Sequence, residues 1–229
     1  MELKVIWKHA RAAALECCDG SIYETENAYR IYLNGEFYRE TKQVVNVLYQ
    51  LEPEKEYCVS VEQGEEKAEI SFCTEAQDYT VNVRDFGARG DGVQDDTLYI
   101  QAAIMACPKD SRVLIPEGVY RITSLFLKDH LTLELAKGAV LSADTQREKF
   151  PILKGTCQNE EKGKEYILGT WEGDACDMFS GIITGIGVKD VTIYGEGIID
   201  GNASWENWWF EAKKDTDRRK TPDDLFEPV

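Results

Sequence analysis

The sequence predicts an all-β chain in two parts: an antiparallel β-sandwich over residues 1–77, then the first coils of a parallel β-helix with an N-terminal capping helix over residues 78–229. Three observations carry this expectation. Short alternating strands fill the first part. Near residue 78 the rhythm changes to strands punctuated by glycine and spaced too closely for helical crossovers. Two later segments then echo one another.

In the first part, LKVIW, YRIYLNGEFY, QVVNVLYQL, YCVSVEQ and KAEISFCTE read as strands, with Asn34-Gly35 as a hairpin turn inside the second. Leu51-Glu52-Pro53-Glu54-Lys55-Glu56-Tyr57 sets Leu, Pro and Tyr ahead of an alternating strand, as in a tyrosine corner, where a phenol locks a loop to the backbone. This stretch resembles a fibronectin type III module, which usually has Thr where Lys55 stands. The polar residues after ISFCT, near Ala76 to Asp78, mark the domain boundary.

The second part opens on DFGARGDGVQDDT, Asp85 to Thr97. Its Gly87, Gly90 and Gly92 permit positive φ and a tight turn. Asp95 and Asp96 stand at a helix start, and the expectation is that they accept hydrogen bonds from the unpaired N-terminal amides. Paired carboxylates also do acid and base work, but adjacent side chains at a helix start diverge, so the pair reads as architecture. Leu98, Ala102, Ala103, Ile104 and Ala106 are expected to form one apolar helix face.

Beyond the helix come RVLIP, GVYRITSLFL, HLTLELAKGAVLSA and GIITGIGVKDVTIYGEGIIDG. Lys128-Asp129 precede Leu131-Thr132-Leu133 with Gly138-Ala139-Val140 beyond; Lys189-Asp190 precede Val191-Thr192-Ile193 with Gly197-Ile198-Ile199 beyond. Such an internal repeat marks a solenoid, each coil supplying inward apolar side chains at equivalent positions. The polar segment from about Asp144 to Ser180 reads as a long excursion from one coil.

Composition narrows the partners. Lys and Arg number 26 against 42 Asp and Glu, a formal net charge of −16, which argues against nucleic acid and anionic membranes as partners. No apolar run has the length of a membrane span, and MELKVIWKHARAAALECCDG lacks the apolar core of a signal peptide, so a cytoplasmic location is expected. Seven cysteines, Cys17, Cys18, Cys58, Cys73, Cys107, Cys157 and Cys176, have no ordered spacing and read as reduced thiols rather than a zinc site or a disulfide framework. The two histidines, His9 and His130, suggest no metal cluster and no nucleophilic triad, and no cofactor is expected.

From Tyr79 to Trp209, DFGARGDGVQDDT, VLIPEGVYRITSLFLKDHLTLELAKGAVL and VTIYGEGIIDGNASWENWW together resemble the N-terminal part of glycoside hydrolase family 28, the polygalacturonases and their relatives. The first motif also opens other β-helix proteins; GAVL combined with GEGIIDG and a Trp pair narrows the match. The resemblance implies a right-handed parallel β-helix. It also implies inverting hydrolysis of α-1,4 bonds in pectic galacturonan, with pectic polysaccharide or oligogalacturonides as partner. A preceding fibronectin-like module is similar to the layout of exo-acting bacterial members. The family places its carboxylates in Asn-Thr-Asp and Gly-Asp-Asp motifs, followed by Gly-His-Gly and Arg-Ile-Lys, and none of the four occurs in this chain.

No catalytic residue is therefore assigned, and the chain is expected to be inactive alone. With an open solenoid end, the isolated chain is expected to be marginally stable or to self-associate through that end. Trp208 and Trp209, with Trp205, could offer a sugar ring an aromatic platform, although packing of the excursion onto the coil accounts for them more plainly. Lys213, Lys214, Arg218, Arg219 and Lys220 form a basic cluster that could attract a polyanionic sugar, or a solvated tail. The competing reading is a non-catalytic β-helix protein that binds carbohydrate or serves a structural role.

Overall fold

The computed structural model describes residues 2–158 and 165–208. The chain divides into two compact units, Met1–Asp78 and Tyr79–Val229.

The first unit holds β1 (Glu2–Lys8), β2 (Ala13–Cys18), β3 (Glu24–Leu33), β4 (Glu36–Gln43), β5 (Val45–Leu48), β6 (Glu56–Gln63) and β7 (Glu66–Cys73). They form a three-stranded sheet, β1-β2-β5, and a four-stranded sheet, β4-β3-β6-β7, with every pairing antiparallel. Leu15 and Leu48 from one sheet meet Tyr29, Ile31, Val59 and Val61 from the other in one buried cluster. The Asn34-Gly35 turn takes positive φ at both residues, 52° and 84°, matching a two-residue hairpin loop. The Tyr57 hydroxyl accepts the Glu52 N–H at 2.8 Å, with Leu51 and Tyr57 buried, which is the geometry of a tyrosine corner.

Two features here depart from the sequence reading. β2, AALECC, is a strand that alternation does not mark, because Ala13, Ala14 and Leu15 are all buried in succession. The run QVVNVLYQL is two strands, since the chain leaves the four-stranded sheet after Gln43 and joins the other at Val45. Buried Asn46 fixes this crossing, its amide donating to the Tyr29 hydroxyl at 2.6 Å and the Gln43 carbonyl at 2.7 Å.

The second unit is a set of parallel coils. Its elements begin with β8 (Thr80–Asn82), a 3-10 turn at Val83–Phe86, β9 (Asp91–Asp95) and α1 (Thr97–Ala106). There follow β10 (Arg112–Ile115), β11 (Gly118–Ile122), β12 (Leu125–Phe126), β13 (Leu131–Leu135) and β14 (Ala139–Ala143). The excursion contains β15 (Ile152–Leu153), β16 (Thr156–Gln158), β17 (Glu165–Ile167), β18 (Thr170–Trp171), β19 (Asp174–Ala175) and β20 (Met178–Phe179). The coils resume with β21 (Ile183–Thr184), β22 (Val191–Gly195) and β23 (Ile198–Asp200).

Stacking of successive coils builds three parallel sheets: β22-β13-β10-β8, β23-β14-β11-β9 and β12-β21. The excursion thus separates the second and third strands of the third coil. Its own pairs, β15 with β20, β16 with β17 and β18 with β19, are antiparallel. Inside the coils, Val113, Ile115, Tyr120, Ile122, Leu131, Leu133 and Leu141 are fully or almost fully buried, each alternating with an outward neighbour.

The internal repeat is real, but its register differs from the sequence alignment of the Lys-Asp pairs. Leu131, Thr132 and Leu133 pair with Val191, Thr192 and Ile193 as read, whereas Val140 pairs with Ile198. Two residues before the register row Arg112, Thr132 and Thr192, the residues Asp110, His130 and Asp190 take left-handed φ of 59°, 54° and 53°. These turn residues, rather than the Lys-Asp pairs, are the equivalent positions. His130 donates its backbone N–H to the Lys189 carbonyl at 2.9 Å, and its Nδ1 lies 2.9 Å from the Asp190 carboxylate. At the far end of β22, Gly195 has φ of 131°, and a Cβ there would come within 1.9 Å of the Leu135 carbonyl oxygen, so glycine is what lets the fourth coil close on the third.

Helix α1 also corrects the sequence reading. Its buried face is Ile100, Ala103 and Ile104, which join the coil interior, while Leu98, Ala102 and Ala106 are exposed. Apolar residues surround this helix, so periodicity alone does not select the inward side. Among the described residues no helix is long and apolar enough to cross a membrane.

Candidate functional site

The opening motif is organised by Asp96, and not as a helix cap. Asp96 is fully buried, and its side chain makes no capping bond to α1. Its carboxylate instead accepts the N–H groups of Arg89 and Gly90, both at 2.9 Å, and the Gln94 amide at 2.7 Å. The reason is geometric: the glycine turn doubles back over the helix start, bringing its own unpaired amides to the carboxylate before α1 can. Asp95 does cap, accepting the Thr97 N–H at 3.0 Å and the Thr97 hydroxyl at 2.6 Å. Gly90, at φ of 63°, is needed because a Cβ there would lie 2.7 Å from the buried Tyr120 ring. The two adjacent carboxylates thus serve two separate structural ends.

The outward face of the first sheet carries a hydrogen-bonded row across successive coils. The Arg112 Nε donates to the Thr80 hydroxyl at 3.0 Å, and its guanidinium also pairs with the Glu134 carboxylate. Tyr194 donates its hydroxyl to that same carboxylate at 2.5 Å. Burial, then the neighbouring Glu134, holds the Tyr194 phenol well above its ordinary value.

The outward face of the second sheet leads to the base of the excursion. Arg121, Ser142 and Asp200 are in register on successive coils. Asp144, buried at the start of the excursion, accepts from Arg121 at 3.0 Å, from Lys149 at 2.7 Å and from the Gln146 N–H at 2.9 Å. Burial alone would raise its carboxyl, but Lys149, the Gln146 amide and Arg121 outweigh that and hold it below the usual carboxylate value. The exit is fixed as well: the Ser124 and Ser180 hydroxyls share a buried hydrogen bond of 2.5 Å. Asn202 ties the fourth coil to the third, donating to the Ser142 hydroxyl at 2.7 Å and the Ala143 carbonyl at 2.6 Å. Asn202 takes a left-handed φ of 52°, a conformation Asn tolerates better than most residues.

Trp208 packs at this same base. Its ring meets Phe150 edge-on at 5.9 Å, and the Arg147 guanidinium lies 5.1 Å from its centroid. Trp209 and the basic cluster from Lys213 to Lys220 lie outside the described residues. The seven cysteines are free, and among the described residues no group of three His, Cys, Asp or Glu side chains could hold a metal ion.

Chemically, this arrangement positions polypeptide rather than reacting atoms. A general acid at neutral pH needs a carboxyl raised toward 7, whereas Asp144 is held low by two cations. Asp96 is consumed by its own loop, and Glu134 by Arg112 and Tyr194.

The family model for rhamnogalacturonase A/epimerase, pectate lyase-like, matches residues 80–165, the first coils and the start of the excursion. An exo-poly-α-D-galacturonosidase of Dickeya chrysanthemi is 31% identical over 134 residues, covering 58% of this chain and 21% of the relative. A probable polygalacturonase of Vitis vinifera is 28% identical over 137 residues, covering 57% and 26%. The chain thus spans about a fifth to a quarter of the curated relatives it matches. Among solved structures, the family 28 exopolygalacturonase of Yersinia enterocolitica shares the fold with a TM-score of 0.57 at 23% identity, over 87% of this chain and 41% of that one. These matches, carried by the glycine turn and the coils that follow it, make the chain similar to the rhamnogalacturonase A/epimerase, pectate lyase-like family and to polygalacturonases, and the Yersinia structure shares its β-helix fold.

Proposed function

We propose that this chain provides the N-terminal scaffold of a glycoside hydrolase acting on pectic galacturonan, and that the chain by itself turns over no substrate. The substrate class follows the relatives at 31% and 28% identity. Action at chain ends follows the exo-poly-α-D-galacturonosidase among them. Residues 1–77 are read as a fibronectin type III-like module, which the two-sheet sandwich and the Tyr57 corner support. Helix α1 is read as the cap of the first coil, supported by Ile100, Ala103 and Ile104 in the coil interior. The seven free thiols support a reducing compartment, the cytoplasm.

The observation that carries the inactivity is the state of the carboxylates. Inversion needs an acid and a base about 6.5–9.5 Å apart with room for water between them. Asp96, Asp144 and Glu134 are each committed to protein donors, and the sequence has neither Asn-Thr-Asp nor Gly-Asp-Asp. On this reading none of these three carboxylates is the reacting acid or base. The chain's part is to hold coils in register, with Asp144, Ser180 and Asn202 fixing the excursion against them.

The test is a comparison on polygalacturonate. The polypeptide extended by whatever is encoded beyond Val229 is expected to release galacturonate with inverted anomeric configuration, read by NMR. An extension without carboxylate motifs, or with them but without hydrolysis of any uronide, would sink the reading.

A further inference from the structure

Strand β12 has β21 of the following coil on one side and, on the other, helix α1 where the first coil would place a third strand. Leu125 and Leu127 donate their N–H groups to the Ile182 and Thr184 carbonyls at 2.8 and 2.9 Å. The N–H and C=O of Phe126, between them, therefore face the opposite edge. Gln101 takes both: its side-chain NH2 donates to the Phe126 carbonyl at 2.9 Å, and its side-chain oxygen accepts the Phe126 N–H at 2.7 Å. One turn earlier on α1, the Thr97 hydroxyl accepts the Thr123 N–H at 2.9 Å. Just before the helix, the Asp96 N–H donates to the Arg121 carbonyl at 2.8 Å. Lys128 braces the other end, donating to the Met105 carbonyl at 3.1 Å and to the Cys107 carbonyl.

We infer that α1 stands in for the missing third strand of the first coil, and that Gln101 and Thr97 close the β12 edge against pairing with a strand of another chain. The inference rests on the reading of α1 as the cap of the first coil and adds to it a hydrogen-bonding role. A side-chain amide imitates a peptide group, offering donor and acceptor in one plane. An apolar side chain at position 101 would cover the edge but leave the Phe126 N–H and C=O as a template for an extended strand. Helix α1, TLYIQAAIMA, carries no charged residue. Charge, a common means of keeping strands off an edge, is thus absent from this helix, and hydrogen bonds close the edge instead.

Amide exchange read residue by residue, with sedimentation velocity on the same samples, tests it. Gln101→Met keeps the length of the side chain and removes its amide. Exchange at Phe126 is expected to quicken roughly 10- to 100-fold, the effect of a backbone group left without its partner. Leu125 and Leu127, bonded to the next coil, and Ile104, buried by α1 in the coil interior, are expected to exchange as in wild type. At equal concentration the variant is expected to form larger species than the wild-type chain. Thr97→Val is expected to quicken exchange at Thr123, and Thr97→Ser to restore it; this pair carries the test if Gln101→Met fails to fold. Unchanged exchange at Phe126 in Gln101→Met overturns the inference, as does a variant that loses this protection yet sediments like wild type. An unprotected Ile104 in the wild-type chain would refute the cap reading itself; a protected Ile104 with an unresponsive Phe126 refutes this inference alone.

Discussion

Replacing Asp96 with Asn separates the architectural account of the Asp95-Asp96 pair from a catalytic one. In the folded protein one Asp96 oxygen accepts from Arg89 and Gln94, and the other accepts from Gly90. An Asn can keep the first oxygen, but its NH2 then faces the Gly90 N–H, donor against donor, in a fully buried site. One charge-assisted bond is lost outright and two are weakened, which amounts to about 2–4 kcal/mol. For a unit of this size that is a fall of roughly 5–15 °C in melting temperature. The two units can melt separately, so the assay is calorimetry paired with hydrogen exchange over residues 84–106, where the loosening is expected. Asp95→Asn is the internal comparison: it is an exposed cap on Thr97, and an asparagine caps nearly as well, so it is expected to cost less than about 0.5 kcal/mol. Equal costs at the two positions, or an Asp96→Asn protein that melts like wild type, would refute the reasoning.

Three further outcomes follow from the same geometry. Gly195→Ala, which sets a Cβ against the Leu135 carbonyl oxygen at positive φ, is expected to cost about 3 kcal/mol or more and to abolish exchange protection in β22. Asp144 is held below its unfolded value, so it stabilises the fold above about pH 3.9 and that contribution fades as pH falls toward its folded value; acid titration of Asp144→Asn is expected to show a shallower stability loss in that window. Phe150→Ala is expected to expose Trp208 and shift part of the tryptophan emission to the red, while oligogalacturonate leaves wild-type emission unchanged; quenching by the sugar would restore Trp208 as a binding residue.

What the sequence made legible was whatever repeats with a fixed period. Leu131-Thr132-Leu133 and Val191-Thr192-Ile193 carry the coil in their side-chain alternation, and they pair as read. The Asn34-Gly35 hairpin and the Tyr57 phenol were equally legible, because each depends on a few adjacent residues. Features set by distant parts of the chain were not. Which face α1 buries depends on where the coil interior lies, and Leu98 is 78% exposed although it is the longest apolar side chain of the face the sequence suggested. Asp96 looks like a cap until the glycine turn folds back over it. β2 is hidden because its residues are buried consecutively, and the Ser124–Ser180 bond joins positions 56 apart that carry no shared pattern. Across the site the sequence supplied the absence of family carboxylate motifs, but not the Arg121, Lys149 and Gln146 contacts that keep Asp144 ionised.

The central proposal is that this chain holds the frame of a pectin-directed hydrolase without its reacting groups. A reducing-end assay of the purified chain on polygalacturonate tests it directly. The account predicts no new reducing ends above the buffer control at any pH between about 4 and 8, since the sequence has neither Asn-Thr-Asp nor Gly-Asp-Asp and Asp96, Asp144 and Glu134 are each held by protein donors. Turnover that survives purification, and that Asp144→Asn, Asp200→Asn or Glu134→Gln abolishes, would contradict it and make that residue catalytic.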